Sequence, residues 1–79
     1  MKEKIAVIGN GGWGTTLALL LHKKGYEVCL WGAFPDYVQY LKKHQENVKF
    51  LPGISLPSEL HHTANVAEAL MRASATFAV

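Results

Sequence analysis

Gly9, Gly11 and Gly14 form a Gly-x-Gly-x-x-Gly run directly behind Ile5-Ala6-Val7-Ile8 and directly ahead of a helical pattern that stops at Gly25. Glycines at this spacing suit the chemistry of holding a pyrophosphate with no side chain in the way. The first permits a tight turn out of a strand, the second lets the backbone approach the phosphate oxygens, and the third lets the next helix sit close on the sheet. A helix start adds unpaired N–H groups and the positive end of a dipole. By itself the pattern is weak. Placed between an apolar strand and an apolar-striped helix, with another strand behind it, it predicts dinucleotide binding. Asn10, Gly12 and Trp13 fill the variable positions. Gly12 lowers the bulk further, while Trp13 must either pack under the helix or wall the pocket. The bland alternative for the whole run is a glycine-rich strand–helix turn that binds nothing.

The second half of such a site normally has an acidic residue about 20 positions on, at the end of the second strand, accepting the ribose 2′-hydroxyl. Here that region reads Cys29-Leu30-Trp31-Gly32-Ala33 and holds no acid. Glu27 sits at the wrong end of the strand, and Asp36 falls inside the next helix. An arginine would argue for the 2′-phosphate of NADP, but the single arginine, Arg72, belongs to the third helix. NAD is therefore the expected cofactor, with NADP left open. Ala33 or Phe34 is expected against the adenine, and Phe34 suits a core or surface position equally well.

The elements that must position these residues follow from the pattern. Ile5 to Ile8 is apolar on both faces, as in a central parallel strand covered on each side by helices. A helix from about Gly12 to Lys24 carries Trp13, Leu17, Leu20 and Leu21 as its inward stripe, with Lys23, Lys24 and Gly25 closing it. Glu27 to Trp31 is a second strand. Pro35 opens a second helix that runs to His44, with Tyr37, Val38, Tyr40 and Leu41 on its apolar face. Gln45 to Glu59, with Pro52, Gly53 and Pro57, reads as a long loop with little regular structure. Leu60 to Ala64 is a short third strand. Asn65 and Glu68 have capping-box spacing for a helix through Ala73 with Val66, Ala69, Leu70 and Ala73 inward, and Ala75 to Val79 begins a fourth strand. The fold class is α/β, a Rossmann-type parallel sheet with strand order 3-2-1-4 and helices on both faces. It is expected to be incomplete, with residues 1–79 as part of a nucleotide-binding domain.

Seventy-nine residues, 49% hydrophobic and 18% charged, bound this to one small globular unit. A net charge of +2, with the lysines scattered, gives no argument for nucleic acid. No apolar run is long enough to span a bilayer, no signal peptide is visible, and the single Cys29 fits a reducing compartment. The cytosol is the expected location. His61 and His62 are adjacent, so on a strand they face opposite ways and cannot share an ion. Surface or edge positions suit them, helix ends suit His22 and His44, and Cys29 is expected buried and inert.

The chain resembles the NAD(P)-dependent glycerol-3-phosphate dehydrogenase family. The likeness rests on Ile5-Ala6-Val7-Ile8-Gly9-Asn10-Gly11-Gly12-Trp13-Gly14-Thr15, on Glu27-Val28-Cys29-Leu30-Trp31, and on His44-Gln45-Glu46-Asn47-Val48-Lys49-Phe50-Leu51-Pro52-Gly53-Ile54. It implies reversible hydride transfer between NAD(P)H and dihydroxyacetone phosphate to give sn-glycerol 3-phosphate, by a homodimer when complete. It also implies that Gly9 to Gly14 hold the pyrophosphate, that Ala33 and Phe34 lie at the adenosine end, and that Phe50 is a cofactor contact. Bacterial members usually carry a basic residue just after the second strand, where this chain has Ala33-Phe34. The family's catalytic lysine and substrate-phosphate contacts would lie beyond Val79, so the chain is expected to bind cofactor without catalysis. A non-catalytic dinucleotide-binding or sensor module is the other function this fold could serve.

Overall fold

The computed structural model describes residues 2–79. Its first unit is β1 (Lys4–Ile8), α1 (Gly12–Lys23) and β2 (Glu27–Trp31), and β1 and β2 pair in parallel with Ala6 opposite Cys29. Their central residues, Ile5, Ala6 and Val7 on one strand and Val28, Cys29 and Leu30 on the other, are all buried. That burial explains the unbroken apolar runs, since both faces of a central parallel strand are covered. α2 (Pro35–His44) returns the chain, a small hairpin of β3 (Glu46–Asn47) and β4 (Leu51–Ser55) follows, and β5 (His61–Thr63) pairs with the outer side of β2. α3 (Val66–Leu70) then carries the chain to β6 (Ala75–Ala78), which pairs with the other side of β1. The order β5-β2-β1-β6 is the expected 3-2-1-4 once the hairpin is set aside.

Alternation along the strands splits the core in two. Val7, Val28 and Leu30 point to the face covered by α1 and α2, where they meet Ala18, Leu41, Leu56 and Leu60. Ala6 and Cys29 point to the other face and meet Ala69 of α3. Small residues on that face let a short helix approach closely. Burial pushes the Cys29 thiol above its ordinary value, with Lys4 acting against it, and so keeps it protonated and inert.

Three expectations need correction. The inward face of α1 is Gly14, Thr15 and Ala18, with Leu17 and Leu21 at its margin, while Trp13 and Leu20 are exposed. The helix lies so close to the sheet that only small residues fit beneath it. The segment from Gln45 to Glu59 contains a hairpin with a turn at 48–50. A register shift between Glu46 and Asn47 hides the alternation that would have announced it. α3 ends at Leu70, short of Ala73, and of the four residues expected inward only Ala69 is buried, with Ala73 packed beside it. Its end is set from afar, because Lys4 Nζ donates to the carbonyls of Glu68 at 3.0 Å and Met71 at 2.8 Å. The cap at its start is as read, with Asn65 Oδ1 accepting from the Glu68 N–H at 3.2 Å. Among the described residues no helix is long and apolar enough to cross a membrane.

Candidate functional site

The C-terminal ends of β1 and β2 open into a cavity of about 200 Å³. Gly9, Asn10 and Gly11 form one side, Trp31, Ala33 and Phe34 another, and Tyr37, Lys49 and Phe50 close it. Six of the nine residues read from the sequence as site residues thus meet at one place. Gly12, Trp13 and Gly14 continue from its rim into the first turn of α1.

Three of the four glycines of the turn differ in what surrounds them. Gly9 has φ +121°, a conformation that L side chains rarely adopt. A Cβ on Gly14 would stand 1.7 Å from the carbonyl oxygen of Gly9, so this residue is where helix and strand touch. A Cβ on Gly11 would meet nothing within 4 Å. The space in front of Gly11 is open, at the start of a helix that no side chain caps and whose first turn holds no acidic residue. Free N–H donors, the positive end of the dipole and an open approach are what a pyrophosphate requires. On this geometry the residues present fit a dinucleotide.

Asn10 lays its side chain over Gly32, where an added Cβ would stand 2.1 Å from Asn10 Nδ2. Gly32 is therefore a second position of close approach, locking the turn after β1 to the turn after β2. Trp13, for which core packing or a pocket wall was expected, is 79% exposed and does neither. Phe34 is 74% exposed at the mouth of the cavity, in keeping with the surface alternative.

Sequence reasoning missed Asn47 as the centre of the site's support. It is fully buried, and both ends of its amide are satisfied. Nδ2 donates to the Asn10 carbonyl and to Thr15 Oγ1, each at 2.8 Å. Oδ1 accepts from the Tyr37 hydroxyl and from the Phe50 N–H, the latter at 3.3 Å. Thr15 Oγ1 in turn donates to the Asn10 carbonyl at 3.2 Å. One side chain thereby ties the glycine turn, α1, α2 and the hairpin together. Tyr37 meets Phe50 edge to face with 6.4 Å between ring centres, and Lys49 Nζ lies 4.8 Å from the centre of the Tyr37 ring. Helical periodicity alone places Tyr37 on an apolar helix face. The signal that could have marked the pair is polar groups embedded in otherwise apolar or turn-forming surroundings.

The histidines lie apart from the cavity. His22 and His44 fall in the last turns of α1 and α2, as expected. His61 and His62 both lie on edge strand β5, one of the two positions expected for them; His61 is exposed, while His62 is only 7% exposed and its Nδ1 has no hydrogen-bond partner. Burial, with help from Lys42 and His61, pushes its pKa down to about 4 from an ordinary 6.5. Between those values the unfolded chain binds more protons than the folded one, so stability falls as pH drops through the ordinary pKa and levels off below the folded one. A loss on the order of 2 kcal/mol between pH 7 and pH 4 is expected from this residue. Urea unfolding at both pH values should show it, and His62→Gln should flatten the slope. An equally steep slope in the variant would contradict this. Among the described residues no group of three or more His, Cys, Asp or Glu could hold a metal ion.

The parallel sheet, the crossovers and a glycine turn at the point where the strand order reverses define a Rossmann-type α/β protein. Within that class, the chain belongs to the family described as NAD-dependent glycerol-3-phosphate dehydrogenase N-terminus, whose sequence model matches residues 4–79. It is 56% identical over 69 residues to the glycerol-3-phosphate dehydrogenase [NAD(P)+] of Citrifermentans bemidjiense, covering 87% of this chain and 21% of that protein. It is 55% identical over 69 residues to the enzyme of the same name from Geobacter sp. strain M21, again 87% of this chain and 21% of that one. The crystal structure of glycerol-3-phosphate dehydrogenase from Coxiella burnetii superposes with a TM-score of 0.90 at 32% identity, over 98% of this chain and 24% of that chain. The chain thus spans about a fifth of the length of the curated relatives it matches.

Proposed function

We propose that this chain binds NAD(H) or NADP(H) as the opening part of the cofactor-binding domain of an oxidoreductase that interconverts dihydroxyacetone phosphate and sn-glycerol 3-phosphate. The observation that carries the reading is the open face at Gly11, set at an uncapped helix start and framed by the close contact of Gly14 with Gly9. In this reading the backbone of Gly9, Asn10, Gly11, Gly12, Trp13 and Gly14 holds the pyrophosphate. Ala33, Phe34 and Phe50 contact the adenosine end, Phe50 and Ala33 from the cavity walls and Phe34 from its mouth. When bound, the cofactor supplies the hydride that reduces a ketone carbon or takes it back from the alcohol. The residues of this chain bind, orient and shield; substrate binding and proton transfer are assigned to the rest of such an enzyme, which acts as a homodimer in the cytosol.

Gly11→Val tests this. Its backbone is extended, at φ −69° and ψ −170°, which valine accepts. Its side chain would fill the approach to the helix start. NADH binding, followed by the fluorescence of Trp13 and Trp31, is expected to be lost while far-ultraviolet circular dichroism stays unchanged. Unchanged affinity would sink the proposal.

A further inference from the structure

A second cavity lies along the flank of α1, apart from the glycine turn. It has a volume of about 390 Å³ and runs between the helix, at Thr16, Leu19, Leu20 and Lys23, and the end of the hairpin, at Ile54 and Pro57. It shares no residue with the cavity at the strand ends. Leu20 and Ile54 are the large aliphatic side chains it leaves in water, 52% and 44% exposed. Thr16 Oγ1 donates to the Gly12 carbonyl at 2.8 Å, within the helix, so its proton is not offered to the groove. Charge comes from the last turn of α1, which brings Lys23 with His22 beside it, and no carboxylate lines the groove. His22 also lines a neighbouring pocket with Glu59, which leaves Lys23 as the standing cation. We infer that this groove binds a single-chain aliphatic carboxylate, with the chain between Leu20 and Ile54 and the head at Lys23 Nζ.

Size and charge select this occupant. A cavity of about 150 Å³ admits a six-carbon ring, so a groove of 390 Å³ has room for a chain of roughly ten carbons. Laying such a chain in the groove removes apolar surface of both ligand and protein from water, which is the main source of its affinity. The head is decided by sign: the groove offers a cation without a carboxylate, so it attracts a carboxylate and repels an ammonium. A second copy of the chain seated here by two-fold symmetry would bring a second Lys23 to the same strip, with no carboxylate in the groove to meet either.

The test is titration of the full chain, labelled with nitrogen-15, with hexanoate, octanoate and decanoate, followed by amide chemical shifts. Shifts are expected at Thr16 to Lys23 and at Ile54 and Ser55, with binding tightening about tenfold for each two carbons added. Lys23 is exposed, so Lys23→Glu should leave circular dichroism unchanged. It should weaken decanoate about fivefold and leave decanol within twofold. Leu20→Gln, also at an exposed position, should weaken decanoate and decanol alike, about tenfold. Decanoate shifts that are absent or lie outside the groove would overturn the inference. So would decanol binding as tightly as decanoate, because the head would then contribute nothing. Shifts of the groove amides with protein concentration alone would also overturn it, and would assign the face to a second copy of the chain.

Discussion

Gly14→Ala is expected to remove most of the stability of this protein, although it adds a single methyl group. The added Cβ would lie 1.7 Å from the Gly9 carbonyl oxygen and 2.8 Å from the Gly9 carbonyl carbon. Both are backbone atoms, and real Cβ contacts essentially never fall below 3.0 Å. No rotamer change relieves the clash. α1 must lift from β1, and that would open the packing of Ala18 against Val7 and Val28. Overpacking that cannot relax costs roughly 3 kcal/mol or more, a large share of what holds a domain of this size together. A fall in thermal midpoint on the order of 15 °C, or loss of a cooperative transition, is the expected readout. Gly11→Ala is the control, since its Cβ meets nothing within 4 Å. Similar melting of Gly14→Ala and Gly11→Ala would show the close approach to be unnecessary.

The second large effect is expected at Asn47. Removing its side chain leaves the Asn10 carbonyl, Thr15 Oγ1 and the Tyr37 hydroxyl short of partners in a buried place. Unsatisfied buried groups cost about 1–3 kcal/mol each before relaxation, so Asn47→Ala is expected to lose roughly 3 kcal/mol in urea unfolding. Asn47→Asp should do no better, because a carboxylate presents acceptors where the Asn10 carbonyl needs a donor. Tyr37→Phe, which removes the bond the hydroxyl donates to Asn47 Oδ1 and the one it accepts from the Lys49 N–H, should cost about 1–2 kcal/mol. Amide exchange adds a local readout: the Phe50 N–H, shared between Asn47 Oδ1 and the Asn47 carbonyl at 3.3 Å each, should lose part of its protection in Asn47→Ala ahead of the central strands. A variant within about 0.5 kcal/mol of the parent would mean that water replaces these bonds.

Lys4 shows how far such remote effects extend. Periodicity extended α3 to Ala73, but the helix stops where the Lys4 ammonium takes up the carbonyls of Glu68 and Met71. Arg72, two residues past the helix, has φ 60°. Nothing local to Ala67-Glu68-Ala69-Leu70 signals that stop, because the partner is more than 60 positions away. The α1 stripe failed for a related reason. Leucines at helical spacing mark an apolar helix, but how close the helix lies to the sheet decides which of its sides is innermost, and Gly14 sets that distance. His62 lies on an edge strand and is nonetheless buried, because α2 packs against β5.

By itself the sequence determined the strand–turn–helix–strand unit, the sheet order, the helix starts at Pro35 and Asn65, and the family. These rest on interactions within a few residues of chain: the conformational freedom of Gly9, the fixed φ of Pro35, the cap at Asn65, and apolar runs that only a doubly covered sheet can bury. Tertiary structure alone decided that Glu46 to Ser55 folds back as a hairpin, that Asn47 ties four elements together, and that Lys49 brings the cavity its charge. Asn47 reaches the Asn10 carbonyl across 37 positions of sequence. A hydrogen bond or a charge acts over a few ångströms of space whatever the separation along the chain, and that convergence exists only once the sheet has brought β1, α2 and the hairpin to one end.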